Sequence, residues 1–246
     1  MDGRVKTGIY GLDELIEGGF PEGRTILVTG EAGTGKTIFA MQYAYRGAME
    51  YGEPAVYVTL DERPKMLRED MKRFGFDIEK AEKKGVFALI DASSAKAGYQ
   101  SDEKYALPAM GVDVDRLLLR IMQVIDQIGA KRVVIDSLAG LGFHLSNQNE
   151  VRRAILKINY MLMKNGATTI ITSEIDESGT NKYSKYGVEE YVADGVILLS
   201  YLGNSGQGAN RTLFIKKMRG TSHSEQILPI EFTSKGFVVK RPEDVL

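Results

Sequence analysis

The chain has 246 residues, 43% of them hydrophobic and 26% charged, and a formal net charge of −1. It is long enough for one large α/β domain or two small ones, and it carries no overall basic field to attract nucleic acid or an anionic membrane. With no cysteine and only His144 and His223 as histidines, disulfides, thiol catalysis, cysteine-ligated zinc and a histidine-rich metal site are all excluded.

Met1-Asp2-Gly3-Arg4 has no apolar signal core, and no run approaches membrane-spanning length, so a cytoplasmic location is expected. The first strand expected is Thr25–Thr29, a short apolar run. It leads into Gly30-Glu31-Ala32-Gly33-Thr34-Gly35-Lys36-Thr37, which matches the phosphate-loop pattern G-x-x-x-x-G-K-[ST] at every fixed position. A proline-free helix is expected to follow, from Ile38 to Tyr51. Glycines there let backbone N–H groups curl around phosphate oxygens, and the helix adds the positive end of its dipole. Nucleotide contacts are therefore expected from Glu31, Ala32, Gly33, Thr34, Gly35, Lys36, Thr37 and Ile38. Lys36 would reach the β- and γ-phosphates of ATP or the β-phosphate of ADP, and the Thr37 hydroxyl would hold Mg²⁺.

Ala55–Leu60 reads as the next strand and ends in Asp61-Glu62. A carboxylate at this tip faces the γ-phosphate, which makes Glu62 the candidate base for an attacking water, with Asp61 in support. The alternative is an acidic pair at a helix N-terminus, since Pro64 suits a first helical position. Phe87–Ile90 is a further strand. Ser93–Gly111 lacks a period and reads as a loop over the site, at an interface, or simply on the surface. In Val114–Ile128 and Val151–Met163 the apolar positions share one helical face and read as core packing.

Arg132–Ile135 is an apolar strand that runs into Asp136, which would emerge beyond a carboxyl end and hold Mg²⁺ directly or through water. Strands are also expected at Thr168–Thr172, Val196–Ser200, Thr212–Lys216, Ile227–Glu231 and Phe237–Val239. Alternation of strands and helices argues for an α/β fold with a mainly parallel twisted sheet flanked by helices. The close spacing after Val196, with turn residues Gly203–Gly208, argues for antiparallel strands added at the C-terminal end. Glu177–Glu190 reads as a polar loop. Residues 1–246 are expected to form a single domain. Lys216-Lys217-Met218-Arg219-Gly220 aims cations at phosphate oxygens, or else forms a solvated charged turn.

Several segments stand together in one chain: Thr7-Gly8-Ile9-Tyr10-Gly11-Leu12-Asp13-Glu14-Leu15, Gly18-Gly19-Phe20-Pro21-Glu22-Gly23-Arg24, the phosphate loop, Asp61-Glu62-Arg63-Pro64, Phe74-Gly75-Phe76-Asp77, Asp136-Ser137 and Lys217-Met218-Arg219-Gly220-Thr221-Ser222-His223. On these residues the whole chain resembles the RecA-like P-loop ATPases of the KaiC type, with one copy of the domain that KaiC carries twice. The resemblance implies a homo-oligomer, usually a hexameric ring, with Mg²⁺ and ATP at each subunit boundary. It implies that Lys217 and Arg219 reach the γ-phosphate on the neighbouring subunit, with His223 near the same nucleotide. Thr172-Ser173-Glu174 resembles the segment that senses the γ-phosphate. The chain departs from KaiC in having Asp61-Glu62 where KaiC has paired glutamates, and Glu225 where a lysine is common. Nothing matches the clock protein's phosphorylated tail, so neither clock function nor autophosphorylation is carried over.

ATP hydrolysis to ADP and phosphate is the reaction this implies. Two alternatives use the same residues: a slow nucleotide switch or scaffold that controls assembly and a protein partner, and a recombinase-like ATPase. The last would bind DNA through Ser93–Gly111 or Glu177–Glu190, where Lys182 and Lys185 are the basic residues available.

Overall fold

A computed structural model describes residues 3–144, 148–175, 183–202 and 210–240. Their centre is a ten-stranded sheet, which is entered after a small antiparallel pair, β1 (Arg4–Val5) with β2 (Phe20–Pro21). The large sheet holds β3 (Thr25–Gly30), β4 (Ala55–Thr59), β5 (Phe87–Asp91), β6 (Tyr105–Ala106), β7 (Arg132–Asp136), β8 (Thr168–Glu174), β9 (Gly195–Leu202), β10 (Asn210–Met218), β11 (Ile227–Thr233) and β12 (Gly236–Val239). Its spatial order is β12-β11-β10-β9-β3-β8-β7-β4-β5-β6. From β9 to β6 every neighbouring pair is parallel, whereas β10, β11 and β12 are added antiparallel.

The strands read as unbroken apolar runs because both faces are covered. Successive residues alternate between two cores. Ile26, Val28, Tyr57, Val134 and Ile170 pack on one side with α1 (Lys36–Glu50), α2 (Pro64–Lys72) and α3 (Ile78–Lys83). Leu27, Val56, Val58, Val133 and Ile171 pack on the other with α5 (Val114–Ile128) and α6 (Gln148–Lys164). Two helix starts are fixed by carboxylates. Asp113 accepts from the N–H groups of Asp115 and Arg116 at 2.9 Å, and Asp77 accepts from Lys80 N–H at 3.0 Å.

All nine expected strands and the three long helices are present, each within a few residues of its expected bounds. β1, β2 and β6 are two residues each, too short to leave a period in the sequence. Pro64 takes the first position of α2 as expected, but Arg63 is the cap residue and no side chain caps it.

The stretch expected as an aperiodic loop, Ser93–Gly111, carries α4 (Ser93–Lys96) and β6. Its organiser is Asp91, 1% exposed, which accepts from Ser93 Oγ, from Ser94 N–H and Oγ, and from Ser101 Oγ at 2.6–3.1 Å. Burial pushes the Asp91 carboxyl up, but the serine bonds outweigh it and hold it below the usual carboxylate range. No described helix is long and apolar enough to cross a membrane. The expected Gly203–Gly208 turn and much of the Glu177–Glu190 loop lie outside the described residues.

Asp91→Ala leaves buried hydroxyls without an acceptor and should lower unfolding free energy by about 1–3 kcal/mol in denaturant titrations. Because the folded-state pKa is depressed, the Asp91 contribution is complete above the unfolded-state value. It is lost as pH falls through the folded-state value, so the difference between wild type and variant should shrink in acid.

Candidate functional site

In a parallel sheet all carboxyl ends fall at one edge, and β3 occupies its middle, between β8 and β9. The phosphate loop leaves that edge at Gly30 and closes at Gly35, whose φ of 98° opens α1 without a side-chain cap. First-turn N–H groups of α1 thus face the loop rather than a capping oxygen, which is the arrangement an anion uses. Two glycines are demanded by space as well. A Cβ at Gly30 would stand 2.2 Å from the Leu199 carbonyl oxygen, and one at Gly35 would stand 2.4 Å from the Phe232 ring. Thr34 braces the loop by donating its hydroxyl to the Glu31 carbonyl at 2.8 Å.

The Lys36 ammonium donates to the Gly30 and Glu31 carbonyls, both at 2.9 Å, and so lies across the loop's own backbone. Burial pushes its pKa down, against the opposing fields of Glu174, Asp136 and Glu31. Glu174 ends β8 in register with Gly30. Asp136 ends β7, the next strand over, and is nearly buried. Its carboxylate accepts from Tyr57 Oη at 2.6 Å and from Thr172 Oγ1, while burial and the Asp136 charge raise the Tyr57 pKa well above its usual value. Thr37 and Asp136 offer only oxygen donors. This suits Mg²⁺, which takes one or two protein oxygens and completes its shell with phosphate and water. The hydroxyls on Asp136 would orient it as outer-shell partners do.

Asp61 and Glu62, adjacent in sequence, face different clefts. Asp61 pairs with Lys96 at 2.6 Å and accepts from Ser137 Oγ at 2.7 Å. It lines a polar cleft with Arg63, Asp91 and Ser94. Glu62 lines a cavity of about 440 Å³ with Gly33, Gly35, Lys36, Thr37 and Ile38. Burial raises the Glu62 pKa, helped by Asp136, Asp70 and Asp61. A base with a raised pKa beside a phosphate loop is suited to taking a proton near neutrality.

The far wall of the same cavity was not anticipated from the sequence: Met71, Phe74 and Phe232 give it an apolar, aromatic side, with Asp70 and Arg73 beside them. Arg211 was also missed. Its Nε donates to the Gly33 carbonyl at 3.1 Å, and its guanidinium lies 4.9 Å from the Phe232 ring centroid and 5.3 Å from that of Tyr201. β9, β10 and β11 carry Tyr201, Arg211 and Phe232 to the loop from far along the chain, and nothing local in the sequence marks them.

Lys217, Arg219 and His223 are not in this cavity. β10 runs against β9 with Met218 opposite Gly195, and Gly195 lies beside Ile26 near the start of β3. Ile26 lies four positions before Gly30 in β3, roughly 13 Å along the strand. A register shift between Ile215 and Lys217 also reverses the alternation. Met218 therefore packs in the α1 core with Leu213 and Ile215. Lys217 turns instead toward α7 (Glu189–Val192) and donates to the Glu190 and Ala193 carbonyls at 3.0 and 2.6 Å. Burial pushes the Lys217 pKa down, with the Arg219 charge adding to it. Arg219 pairs with Asp194 at 3.5 Å and donates to the Tyr191 carbonyl at 3.3 Å. The His223 ring nitrogen Nδ1 lies 3.1 Å from the Ser224 carbonyl oxygen. Of the two lysines in the expected DNA loop, Lys182 lies outside the described residues and Lys185 is 3.8 Å from Glu174.

Removing the aromatic wall should separate base from phosphate contacts. Phe232→Ala is expected to weaken ATP binding about ten-fold while leaving inorganic triphosphate binding within about two-fold, as titration calorimetry would measure. Equal losses for both ligands would place Phe232 in support of the loop rather than against the base.

Comparison with known proteins places the chain in a family. Residues 5–244 match the family model for the KaiC ATPase. A UPF0273 protein of Pyrococcus horikoshii is 40% identical over 100% of this chain and 97% of its own length. The circadian clock oscillator protein KaiC of Synechococcus elongatus is 37% identical over 95% of this chain but only 43% of its own length. The crystal structure of a KaiC-like protein from Pyrococcus horikoshii superposes with a TM-score of 0.84, at 44% identity, covering 98% of this chain and 100% of that one. With a phosphate loop at the centre of a RecA-like sheet and relatives matched along almost its whole length, the chain belongs to the KaiC ATPase family.

Proposed function

We propose that this chain is a Mg²⁺-dependent ATPase whose sites are completed at the boundaries of a homo-oligomeric ring. The supporting observation is the register of β10, which holds Lys217 and Arg219 at the edge of the sheet opposite the phosphate loop of the same chain. Half of the Arg219 side chain is exposed (52%), so its guanidinium is accessible to another copy's nucleotide even while it pairs with Asp194. In a head-to-tail ring each subunit uses two different faces, and one orientation of contact fills every site.

On this reading ATP lies with its phosphates in the loop from Glu31 to Ile38 and its base against Phe232 and Phe74. Thr37 and Asp136 would hold Mg²⁺, which would supply positive charge against the phosphates. The Glu62 carboxylate takes a proton from water as the water oxygen bonds the γ-phosphorus and the bond to the β-phosphate bridging oxygen breaks. Lys36 and the neighbour's Lys217 and Arg219 carry the charge that spreads over the γ-phosphoryl oxygens. Asp61 acts on Glu62 through its field, and His223 stands by the same boundary.

Glu62→Gln should retain ATP binding and lose turnover, and a variant with unchanged turnover would remove Glu62 from the role of base. Arg219→Ala should lower kcat by about 10³-fold or more with ATP still bound. The raised pKa of Glu62 places the acid limb of the kcat profile above the ordinary carboxylate range, since the ionised form is the base. Asp70→Asn removes one of the charges that raise it. That limb should therefore move to lower pH, and a limb that stays in place would assign it to another group.

A further inference from the structure

Glu189 is the first residue of α7 and is 2% exposed. A carboxylate so deeply buried needs partners, and its two oxygens have four neutral donors around them, of which the Ser184 hydroxyl is shared with the Glu190 carboxylate. Oε1 accepts from Ser173 Oγ at 3.0 Å and from Tyr186 N–H at 3.2 Å. Oε2 accepts from Ser184 Oγ at 2.7 Å and from Val188 N–H at 3.1 Å. The Ser173 hydroxyl also accepts from Lys185 N–H at 3.3 Å. An apolar side chain would fill the same space but would not set the rotation of a single-turn helix, whereas four directional bonds do.

Both ends of this cluster lead to the site. Ser173 pairs with Thr29, and the next residue, Glu174, pairs with Gly30 at the root of the phosphate loop and acts on Lys36 through its field. In the other direction, the carbonyls of Glu190, Tyr191 and Ala193, one to four residues past Glu189, hold Lys217 and Arg219. Asp194 closes the same corner by accepting from Thr25 N–H at 3.3 Å while pairing with Arg24 and Arg219.

We propose that Glu189 is a positioning residue: it anchors α7 to the end of β8 and thereby aims Lys217 and Arg219 of its own subunit at the nucleotide of the next one. The proposal rests on the reading of sites completed between subunits. It assigns Glu189 to the face that gives cations and not to the face that binds ATP, although Ser173 lies beside its own subunit's phosphate loop.

The test uses rings of mixed composition, co-expressed with two tags and purified through both. Glu189→Gln alone is expected to lower kcat about ten- to thirty-fold while ATP affinity stays within about three-fold. Mixed with Glu62→Gln subunits, which are inert but have an intact cation-giving face, it should regain activity. About one boundary in four then joins an intact Glu62 to an intact Glu189, so turnover should approach a quarter of the wild-type rate per subunit. Arg219→Ala mixed with Glu62→Gln is run in parallel. If that mixture recovers and the Glu189→Gln mixture does not, Glu189 serves its own subunit's site and the inference is overturned. If neither recovers, the reading of shared sites falls and takes the inference with it. Should Glu189→Gln lose ATP binding, Ser173→Ala, which removes one of the four donors, replaces it in the same mixture with the same outcomes.

Discussion

The polarity of the strands governs which side chains can share a nucleotide. From β9 to β6 the chain runs in one direction, so Gly30, Asp136 and Glu174 all emerge at one edge, with Glu62 just past the end of β4. A single reversal at β10 does two things at once. Its beginning brings Arg211 to the phosphate loop, and its end carries Lys217 and Arg219 away to the opposite edge. Sheet topology alone thus sets Lys217 and Arg219 apart from the phosphate loop of the same chain, as the proposed division into a receiving and a giving face requires.

Charge arrangement reinforces that division. At the receiving edge Lys36 sits among Glu174, Asp136 and Glu31, and Glu62 is buried near Asp136, Asp70 and Asp61. Carboxylates crowd this edge, and Lys96 and Lys185 are already drawn to two of them, Asp61 and Glu174. Triphosphate brings still more negative charge there, which on the proposed reading a neighbour's lysine and arginine offset. At the giving edge the opposite holds: Lys217 and Arg219 are held mainly by backbone carbonyls, and Asp194 is the carboxylate shared with Arg24. Carbonyls orient a cation without neutralising it.

What the sequence revealed followed from how local each cause is. The phosphate loop is a contiguous device, and its glycines, Lys36 and Thr37 carry their reason within eight residues. Strands buried on both faces read as apolar runs, and α5 and α6 announced themselves by period. The place of Asp136 at the carboxyl end of β7 was legible because the apolar run before it reads as a strand. The divergence of Asp61 from Glu62 was not legible, since it depends on Lys96 and Ser137, which are distant in sequence. Phe232 and Arg211 were silent for the same reason. The Ser93–Gly111 stretch looked structureless because its order comes from one buried carboxylate, Asp91, and from no repeating pattern. The register shift at Lys216 left no trace in composition, yet it decides that Lys217 faces α7 while Met218 enters the core.

Shared sites make activity a property of the assembly, and dilution is the direct probe of that. ATP turnover per subunit should be measured with Mg²⁺ over several decades of protein concentration, alongside the mass of the particle by light scattering. Sites built across boundaries require specific activity to fall together with the mass as the ring dissociates, and to plateau where assembly is complete. A dilute, fully dissociated chain that hydrolyses ATP at the plateau rate would contradict the account.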